Sequence, residues 1–431
     1  MDILCTECLF TPYRQRFANH TNNLKSASNS TYRYFILFML ATMQIKSKLP
    51  AVGATIFTTM SKMALEYQAI NLGQGFPDFN TDPALLNLVS DAMTNGFNQY
   101  PAMAGVPSLR QVISQKIATL YQHRYDPETE ITITSGATQA IMAGILACVG
   151  TGDDVIVLEP CYDCYIPAIT LAGGRAISVP MRAPTQTHPV YSVDWDLVKA
   201  AITSKTKLLI VNFPHNPTGA VITAADLDEL EALTQKHNLF LLSDEVYEHI
   251  IFDGVTHLSL ATRPALVART FLISSFGKTT HTTGWKIGYC CAPPAMTAEL
   301  RKVHQFMVFT VPSPFQHALA AYTSDPSTYL TLPNFYQAKR DYLSHGLKQT
   351  RFNVLPSPGT FFLLADYSQI SDQSEAEFAI WLTQTHGVTV IPVSAFYQSS
   401  DALESNHQLV RFCFAKQVAT LDLAIERLAK V

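Results

Sequence analysis

Short apolar runs alternate with longer amphipathic stretches from about residue 130 to residue 291. The runs are rich in Val, Ile and Leu, which is typical of buried strands, whereas most of the stretches between them have the apolar spacing of helices. This alternation predicts a mostly parallel sheet wrapped by helices. The predicted strands are Ile131–Thr134, Val155–Leu158, Leu208–Val211, Phe240–Leu242, Phe271–Ile273 and Gly288–Cys291.

The pattern differs on either side of this region. Before it, Thr81–Asn95 and Val106–Tyr121 have helical spacing, and Leu49–Glu66 is predicted to be an arm followed by a helix. After Tyr322, helices and strands of mixed order predict a smaller α+β domain. Its predicted elements are Asp325–Gly346, Phe361–Asp366, Glu375–His386, Val388–Pro392, Leu409–Phe414 and Val418–Ala429.

These changes predict four segments of chain. Residues 1–42 are polar and rich in Asn and Ser, and we predict a disordered extension outside the fold. A targeting segment and a true start at Met43 stay open as alternatives. Residues 43–75 are predicted to form an arm and part of the small domain, residues 76–321 the large domain, and residues 322–431 the small domain.

Composition and charge narrow the class of protein. The chain has 431 residues, of which 48% are hydrophobic and 15% charged, with a net charge of −4, as in an ordinary globular enzyme. The first 46 residues are too short and too weakly basic for a DNA-binding domain. The apolar run Tyr34–Ala41 is far shorter than the roughly 20 residues of a membrane-spanning helix. We therefore predict a cytoplasmic protein that binds neither nucleic acid nor membrane.

The eight cysteines include two pairs with C-x-x-C spacing, Cys5/Cys8 and Cys161/Cys164. Zinc would need two such pairs close in space or nearby histidines. Glu245, Glu248 and His249 also lie close together in sequence, but a metal needs more converging donors. We predict no metal site and free thiols.

Lys278 lies in a polar loop of small residues, Ser274–Tyr289, directly after a predicted strand. The Gly-Lys-Thr sequence at this lysine matches the end of a P-loop, but Leu272 stands where that motif requires glycine. A surface lysine and a Schiff-base lysine remain as alternatives. Asn216 and Asp244 follow or end predicted strands, where ligands bind in parallel sheets, so the set favours a pyridoxal phosphate site.

Five further motifs accompany this loop. They are Asn71–Phe79, Ser135–Thr138, Pro214–Gly219, Ser243–Tyr247 and Arg411–Phe414. In this order and spacing, the set resembles the class I, fold-type I aminotransferases, and in particular the branch of methionine and kynurenine aminotransferases (glutamine transaminase K). The resemblance extends from about residue 47 to the C-terminus.

The resemblance implies a large α/β domain with a mostly parallel seven-stranded sheet wrapped by helices, and a small α+β domain. It implies a transferase with pyridoxal 5′-phosphate as cofactor. Such an enzyme moves the amino group of methionine, or of an aromatic or neutral amino acid, to a 2-oxo acid by ping-pong chemistry. A cysteine-S-conjugate β-lyase and a kynurenine or glutamine transaminase remain alternatives on the same scaffold.

The resemblance also implies the catalytic roles. Lys278 would be the Schiff-base lysine and would carry the proton at the substrate Cα. Asp244 would hold a proton on the pyridine nitrogen of the cofactor. Tyr247 and Asn216 would hydrogen-bond the 3′-oxygen of the ring, and Tyr162 would stack on its face.

A phosphate site is expected where a helix begins. Gly136, Ala137 and Thr138 open a predicted helix directly after a strand, and free N–H groups at a helix N-terminus bind phosphate. By resemblance, Ser275 and Lys286 complete this site. Many aminotransferases have arginine in place of this lysine, whereas the methionine and kynurenine branch has lysine.

The remaining expectations concern the second subunit and the substrate. By resemblance, Tyr100 reaches the phosphate from the other subunit of a homodimer with shared sites. Arg411 would bind the substrate α-carboxylate with two parallel hydrogen bonds, and Asn216 would also contact the substrate. The pocket walls implied are Phe57, Gly75, Tyr100 and Phe309, none of them charged. The sequence therefore predicts a preference for methionine and rejection of acidic donors.

Overall fold

The computed structural model describes residues 45–50, 52–398 and 406–431. The predictions for residues 1–42 lie outside the described residues. Residues Leu49–Val431 form one compact unit, which contains all the elements below. The predicted domain boundaries at 75/76 and 321/322 stay predictions.

The strands fall into three sheets. In chain order they are β1 (Ile70–Asn71), β2 (Ile131–Thr134), β3 (Asp154–Glu159), β4 (Arg175–Pro180), β5 (Thr206–Asn212), β6 (Phe240–Asp244), β7 (Thr270–Ser275), β8 (Gly288–Cys291), β9 (Asn353–Val354), β10 (Phe362–Asp366), β11 (Val388–Thr389), β12 (Ile391–Pro392) and β13 (Leu409–Cys413).

Helices surround these sheets. They are α1 (Ile56–Glu66), α2 (Pro83–Thr94), α3 (Pro107–Tyr121), α4 (Gly136–Cys148), α5 (Tyr165–Ala172), α6 (Trp195–Ala201), α7 (Ala224–His237), α8 (Pro264–Val267), α9 (Phe276–Thr279), α10 (Pro294–Met307), α11 (Ser313–Thr323), α12 (Ser327–Leu330), α13 (Leu332–Leu347), α14 (Glu375–Trp381) and α15 (Val418–Leu428). Within the described ranges, no helix is long and apolar enough to cross a membrane.

The central sheet has seven strands in the order β2-β8-β7-β6-β5-β3-β4. Its strands are mostly parallel, and β8 runs antiparallel to both of its neighbours, β2 and β7. Strands β2, β3 and β8 are buried along their whole length, as expected for a sheet that helices cover on both faces. The predicted α/β fold is therefore confirmed, and the carboxyl ends of β5, β6 and β7 lie side by side.

A second sheet has four strands in the order β12-β13-β10-β9. Strand β13 is buried throughout and pairs antiparallel with β10 and β12. A third, two-stranded sheet joins β1 to β11 in parallel, so that Ile70 pairs with Val388. This pairing brings the segment after β1 next to the C-terminal strands.

Most predicted elements are present, and their ends differ by a few residues. The predicted strand Val388–Pro392 is two strands that belong to different sheets. Strand β4 is absent from the prediction. It lies at the edge of the central sheet with Arg175 exposed, so its sequence lacks the continuous apolar run of the inner strands.

Candidate active site

A cavity of about 330 Å³ lies at the carboxyl ends of β5, β6 and β7, with residues of β10 and β13 also in its wall. Every predicted site residue except Tyr100 and Phe309 lines it. These residues are Phe57, Gly75, Gly136, Ala137, Thr138, Tyr162, Asn216, Asp244, Tyr247, Ser275, Lys278, Lys286 and Arg411. The structure thus brings together side chains that are more than 350 residues apart in sequence.

Lys278 belongs to α9, the single helical turn that follows β7. Its Nζ donates a hydrogen bond to the carbonyl of Gly75 at 3.2 Å and lies 5.6 Å from the centre of the Tyr247 ring. Burial lowers the pKa of Lys278 to about 8, and the positive charge of Arg411 also lowers it. A substantial fraction of the amine is therefore neutral at mildly alkaline pH, which nucleophilic attack and proton uptake both require.

Asp244 is the last residue of β6 and is buried. The hydroxyl of Tyr165 donates a hydrogen bond to Oδ2 at 2.7 Å, and the side-chain amide of Asn212 donates to the Asp244 backbone carbonyl at 2.8 Å. Burial raises the pKa of Asp244 to about 6, while the Tyr165 hydrogen bond and the charge of Lys278 lower it. The carboxylate is thus held in one orientation and is ionised at neutral pH.

Arg411 lies in the middle of β13 and is 3% exposed. Nη1 donates to Oδ1 of Asn216 at 2.7 Å, and Nη2 donates to the carbonyl of Gly73 at 2.9 Å. The guanidinium carbon is 3.8 Å from the centre of the Phe362 ring. Burial lowers the pKa of Arg411 to about 10. Among the described residues its Nε has no partner and no carboxylate forms an ion pair with it, so this cation can bind an incoming anion.

The N-terminus of α4 faces the same cavity next to Lys286. A Cβ atom built on Gly136, which has a φ of +71°, would lie 3.2 Å from the Lys286 Nζ, so the ammonium sits against the first residue of the helix. Gly288 also packs closely against the start of α4, because a Cβ there would lie 2.9 Å from the backbone nitrogen of Ala137. A helix N-terminus with an adjacent ammonium group is a site for an anion such as phosphate.

The aromatic residues and Asn216 complete the wall. The Tyr162 hydroxyl lies 3.4 Å from the Thr138 hydroxyl, and burial raises the pKa of Tyr162 to about 12. The Tyr247 ring packs edge-to-face on Phe361, with 5.1 Å between ring centres. The Asn216 backbone N–H donates to Oδ1 of Asn212 at 3.0 Å. These contacts fix the positions of side chains that face the cavity.

Tyr100 and Phe309 lie outside the cavity of this chain. Tyr100 is 82% exposed and packs edge-to-face on Phe309, with ring centres 5.4 Å apart. The predicted role of Tyr100 at the site of another subunit therefore stays a prediction. Phe309 does not line the pocket as a wall residue of its own chain.

Sequence analysis missed Asn212, Tyr165, Asp163, Phe362 and Phe396. Asn212 ends β5, and the same strand-end rule that identified Asp244 could have identified it. Tyr165 is not part of a recognisable sequence motif, and only the fold brings its hydroxyl next to Asp244. Asp163 lines the cavity with Phe362 and Phe396, so the wall is not free of charge as predicted.

The acidic residues beside Asp244 are engaged elsewhere. Glu248 forms a buried ion pair with Lys116 at 2.7 Å, and Oε2 of Glu245 lies 2.9 Å from the Nε2 of His257. Burial lowers the pKa of His249 to about 3, which keeps its imidazole neutral. These contacts belong to a polar network in the core, separate from the residues that line the cavity.

Comparisons with known proteins match almost the whole described chain. The family model described as aminotransferase class I and II matches residues 67–428. A methionine aminotransferase of Escherichia coli (strain K12) is 46% identical over 387 residues, which are 90% of this chain and 98% of that one. Kynurenine–oxoglutarate transaminase 1 of Mus musculus is 35% identical, with 86% of this chain and 93% of that one covered.

A solved structure shares the fold. The N-succinyldiaminopimelate aminotransferase from Mycobacterium tuberculosis superimposes with a TM-score of 0.86 and 39% sequence identity. The match covers 90% of this chain and 100% of that chain. Fold and sequence therefore lead to the same family.

Proposed function

The chain belongs to the class I and II aminotransferases and is an aminotransferase, and from this premise we propose that its amino donor is methionine or another neutral amino acid. Enzymes of this family depend on pyridoxal phosphate and act on amino acids and 2-oxo acids. The observation that carries the proposal is the cavity around Lys278, in which Arg411 is the one arginine of the wall.

We propose that pyridoxal 5′-phosphate binds in this cavity, because the residues present fit each part of it. The α4 N-terminus and Lys286 form a site for the phosphate, with Ser275 beside them. Asp244 is a buried carboxylate that can hold a proton on a ring nitrogen. Lys278 presents an amine with a lowered pKa. When bound, the cofactor supplies an aldehyde that condenses with amines and a ring that takes up an electron pair.

The side chains that line the cavity would then have separate roles in substrate binding, proton transfer and positioning of the cofactor ring. Arg411 would bind the substrate α-carboxylate through its guanidinium group, whose present partners are neutral oxygen atoms. Lys278, with a pKa of about 8, would accept the proton from the substrate Cα and pass it to the C4′ carbon of the cofactor, and would move a proton the opposite way in the second half of the cycle. Tyr247 and Asn216 would position the ring through hydrogen bonds. Tyr162 would exclude water from one face.

A neutral donor suits the rest of the wall. Phe57, Phe362 and Phe396 form much of the cavity surface, and Arg411 is occupied by the α-carboxylate. A second carboxylate on the donor would find no other arginine in the wall and would lose its hydration. Flexible or aromatic apolar side chains fill such a space at low cost, and methionine adapts to it well.

A screen of amino donors against one 2-oxo acid tests this proposal. We expect methionine to exceed aspartate by at least tenfold in kcat/KM, with phenylalanine, kynurenine and glutamine as intermediate donors. Lys278→Ala should abolish turnover, and near-normal transamination by that variant would refute the assignment. Keto-acid release from cysteine conjugates without an acceptor would instead indicate the β-lyase. Equal values for methionine and aspartate would contradict the substrate assignment.

We also propose a homodimer with shared sites. Tyr100 and Phe306 are 82% and 88% exposed, and partly exposed Phe309 packs against Tyr100, so apolar surface is available to a second copy. Mixing Lys278→Ala chains with Tyr100→Ala chains should restore activity, because one site of each hybrid dimer has both wild-type residues. A fully active monomer in sedimentation would contradict the proposal.

We further propose a cytoplasmic location and a division into large and small domains near residue 321. The cysteines of the described ranges are free, as suits a reducing compartment. The separate four-stranded sheet supports a small domain.

A further inference from the structure

Asp163 is an acidic residue in the wall of the substrate cavity. It lies between β3 and α5, directly after Tyr162, and its side chain is partly buried. No other described residue forms an ion pair or a side-chain hydrogen bond with its carboxylate. A carboxylate that is withdrawn from water and left without a partner is costly, so its position in the cavity calls for a function.

Asp163 and Arg411 are two oppositely charged residues of the cavity wall, which also contains Asp244, Lys278 and Lys286. Burial raises the pKa of Asp163 and lowers the pKa of Arg411, and the charge of each residue acts in the opposite direction on the pKa of the other. Both residues line a cavity of only about 330 Å³. A substrate held by Arg411 therefore places its side chain in a space where the negative charge of Asp163 is felt.

We propose that Asp163 is a specificity-determining residue that rejects donors with a side-chain carboxylate and accepts a hydrogen bond from donors with a side-chain amide. This inference rests on the proposed function and extends it. A distal carboxylate beside Asp163 would meet a like charge, whereas an amide N–H₂ of the same shape would donate to the Asp163 oxygen atoms. An apolar thioether would be affected little by either charge.

Glutamine and glutamate provide a matched pair of donors, because they differ only in the group that Asp163 would distinguish. We expect the wild-type enzyme to favour glutamine over glutamate in kcat/KM, and Asp163→Asn to reduce that ratio at least tenfold. Asparagine and aspartate should change in the same direction. The value for methionine should stay within about threefold of wild type. In addition, 2-oxoglutarate should inhibit the variant more strongly than the wild type, which gives a binding readout independent of turnover.

Two further variants make the test specific. Asp163→Glu keeps the charge and should keep the preference for glutamine, while Asp372→Asn removes an exposed acid outside the cavity and should change no ratio. An equal effect of Asp163→Asn on all donors would show that Asp163 acts only through Arg411, and would overturn the proposal. An unchanged glutamine-to-glutamate ratio would overturn it as well. In both cases a wild-type preference for methionine over aspartate would leave the proposed function intact.

Discussion

Two buried charges, Asp244 and Arg411, line one cavity but are stabilised in different ways. Asp244 receives a hydrogen bond from Tyr165, and the positive charge of Lys278 lies close enough to lower its pKa. Arg411 donates to neutral oxygen atoms of Asn216 and Gly73 and is stacked on Phe362. Its Nε remains unpaired within the described part of the chain.

This difference in partners indicates which of the two charges suits a ligand that stays bound and which suits a ligand that is exchanged. A charge with partners supplied by the fold can serve a group that stays bound through many cycles. A charge left with neutral partners gains most when a carboxylate arrives and can release it again, because no carboxylate of the described residues forms an ion pair with Arg411. We therefore propose that Asp244 serves a group that stays bound in the cavity and that Arg411 serves a group that is exchanged in each cycle.

The largest effect on activity is expected from removing the charge of Asp244. Asp244→Asn keeps the shape but cannot hold a ring nitrogen in its protonated form, so we expect kcat to fall by about a thousandfold. Steady-state kinetics with methionine measures the loss, and Asp372→Asn is the matched control. A variant with more than a tenth of wild-type kcat would show that Asp244 is not needed as an ion.

The same substitution should stabilise the fold of the cofactor-free protein. The pKa of Asp244 is about 6 in the fold and 3.8 ordinarily, so the folded state binds a proton more tightly and loses stability as pH rises between these values. At pH 8 this loss is complete, at about 3 kcal/mol before structural relaxation. Urea unfolding at pH 8 and pH 4 checks the prediction. The free energy of unfolding of Asp244→Asn, relative to that of the wild type, should be higher at pH 8 than at pH 4. A difference between the two proteins that does not change with pH would contradict the prediction.

A smaller effect on activity is expected from substituting Arg411. Arg411→Lys keeps the charge but replaces the planar fork by a single ammonium group, so we expect kcat/KM to fall by about a hundredfold. The loss should be shared by all donors, since each carries the same α-carboxylate. Arg182→Lys, at an exposed ion pair with Asp194, serves as the control. A loss confined to one class of donor would instead place Arg411 against the side chain.

The smallest effect is expected from Tyr165→Phe, which removes one donor from Asp244. Because this hydrogen bond lowers the pKa of Asp244, its loss should move the acidic limb of the kcat/KM profile to higher pH by on the order of one unit. Activity should fall severalfold at pH 6.5 and little at pH 8.5. Tyr125→Phe removes a buried hydroxyl that has no partner in the described ranges and is the control. A uniform loss at every pH would indicate a packing defect.

Some residues of the candidate site can be predicted from the sequence, and others cannot. Asp244 and Asn216 were predictable because both follow or end apolar strands, and a parallel sheet gathers such ends at one edge. Arg411 required the family resemblance, since its strand alone reads as part of a separate domain. Tyr165 and Asp163 were not predictable, because Tyr165 hydrogen-bonds Asp244 and Asp163 interacts electrostatically with Arg411, and both partners are about 80 or more positions away.

The pairing of β1 with β11 has a consequence for the order of events during translation. Residues 70–73, which hold Arg411 through the Gly73 carbonyl, find their strand partners only at residues 388–413. A ribosome makes Lys278 and Asp244 long before that point, since chains are synthesised from the N-terminus. A chain released before residue 411 therefore contains Lys278 and Asp244 but lacks Arg411, which we propose as the residue that binds the substrate α-carboxylate. We therefore expect products that terminate before residue 411 to have no transaminase activity.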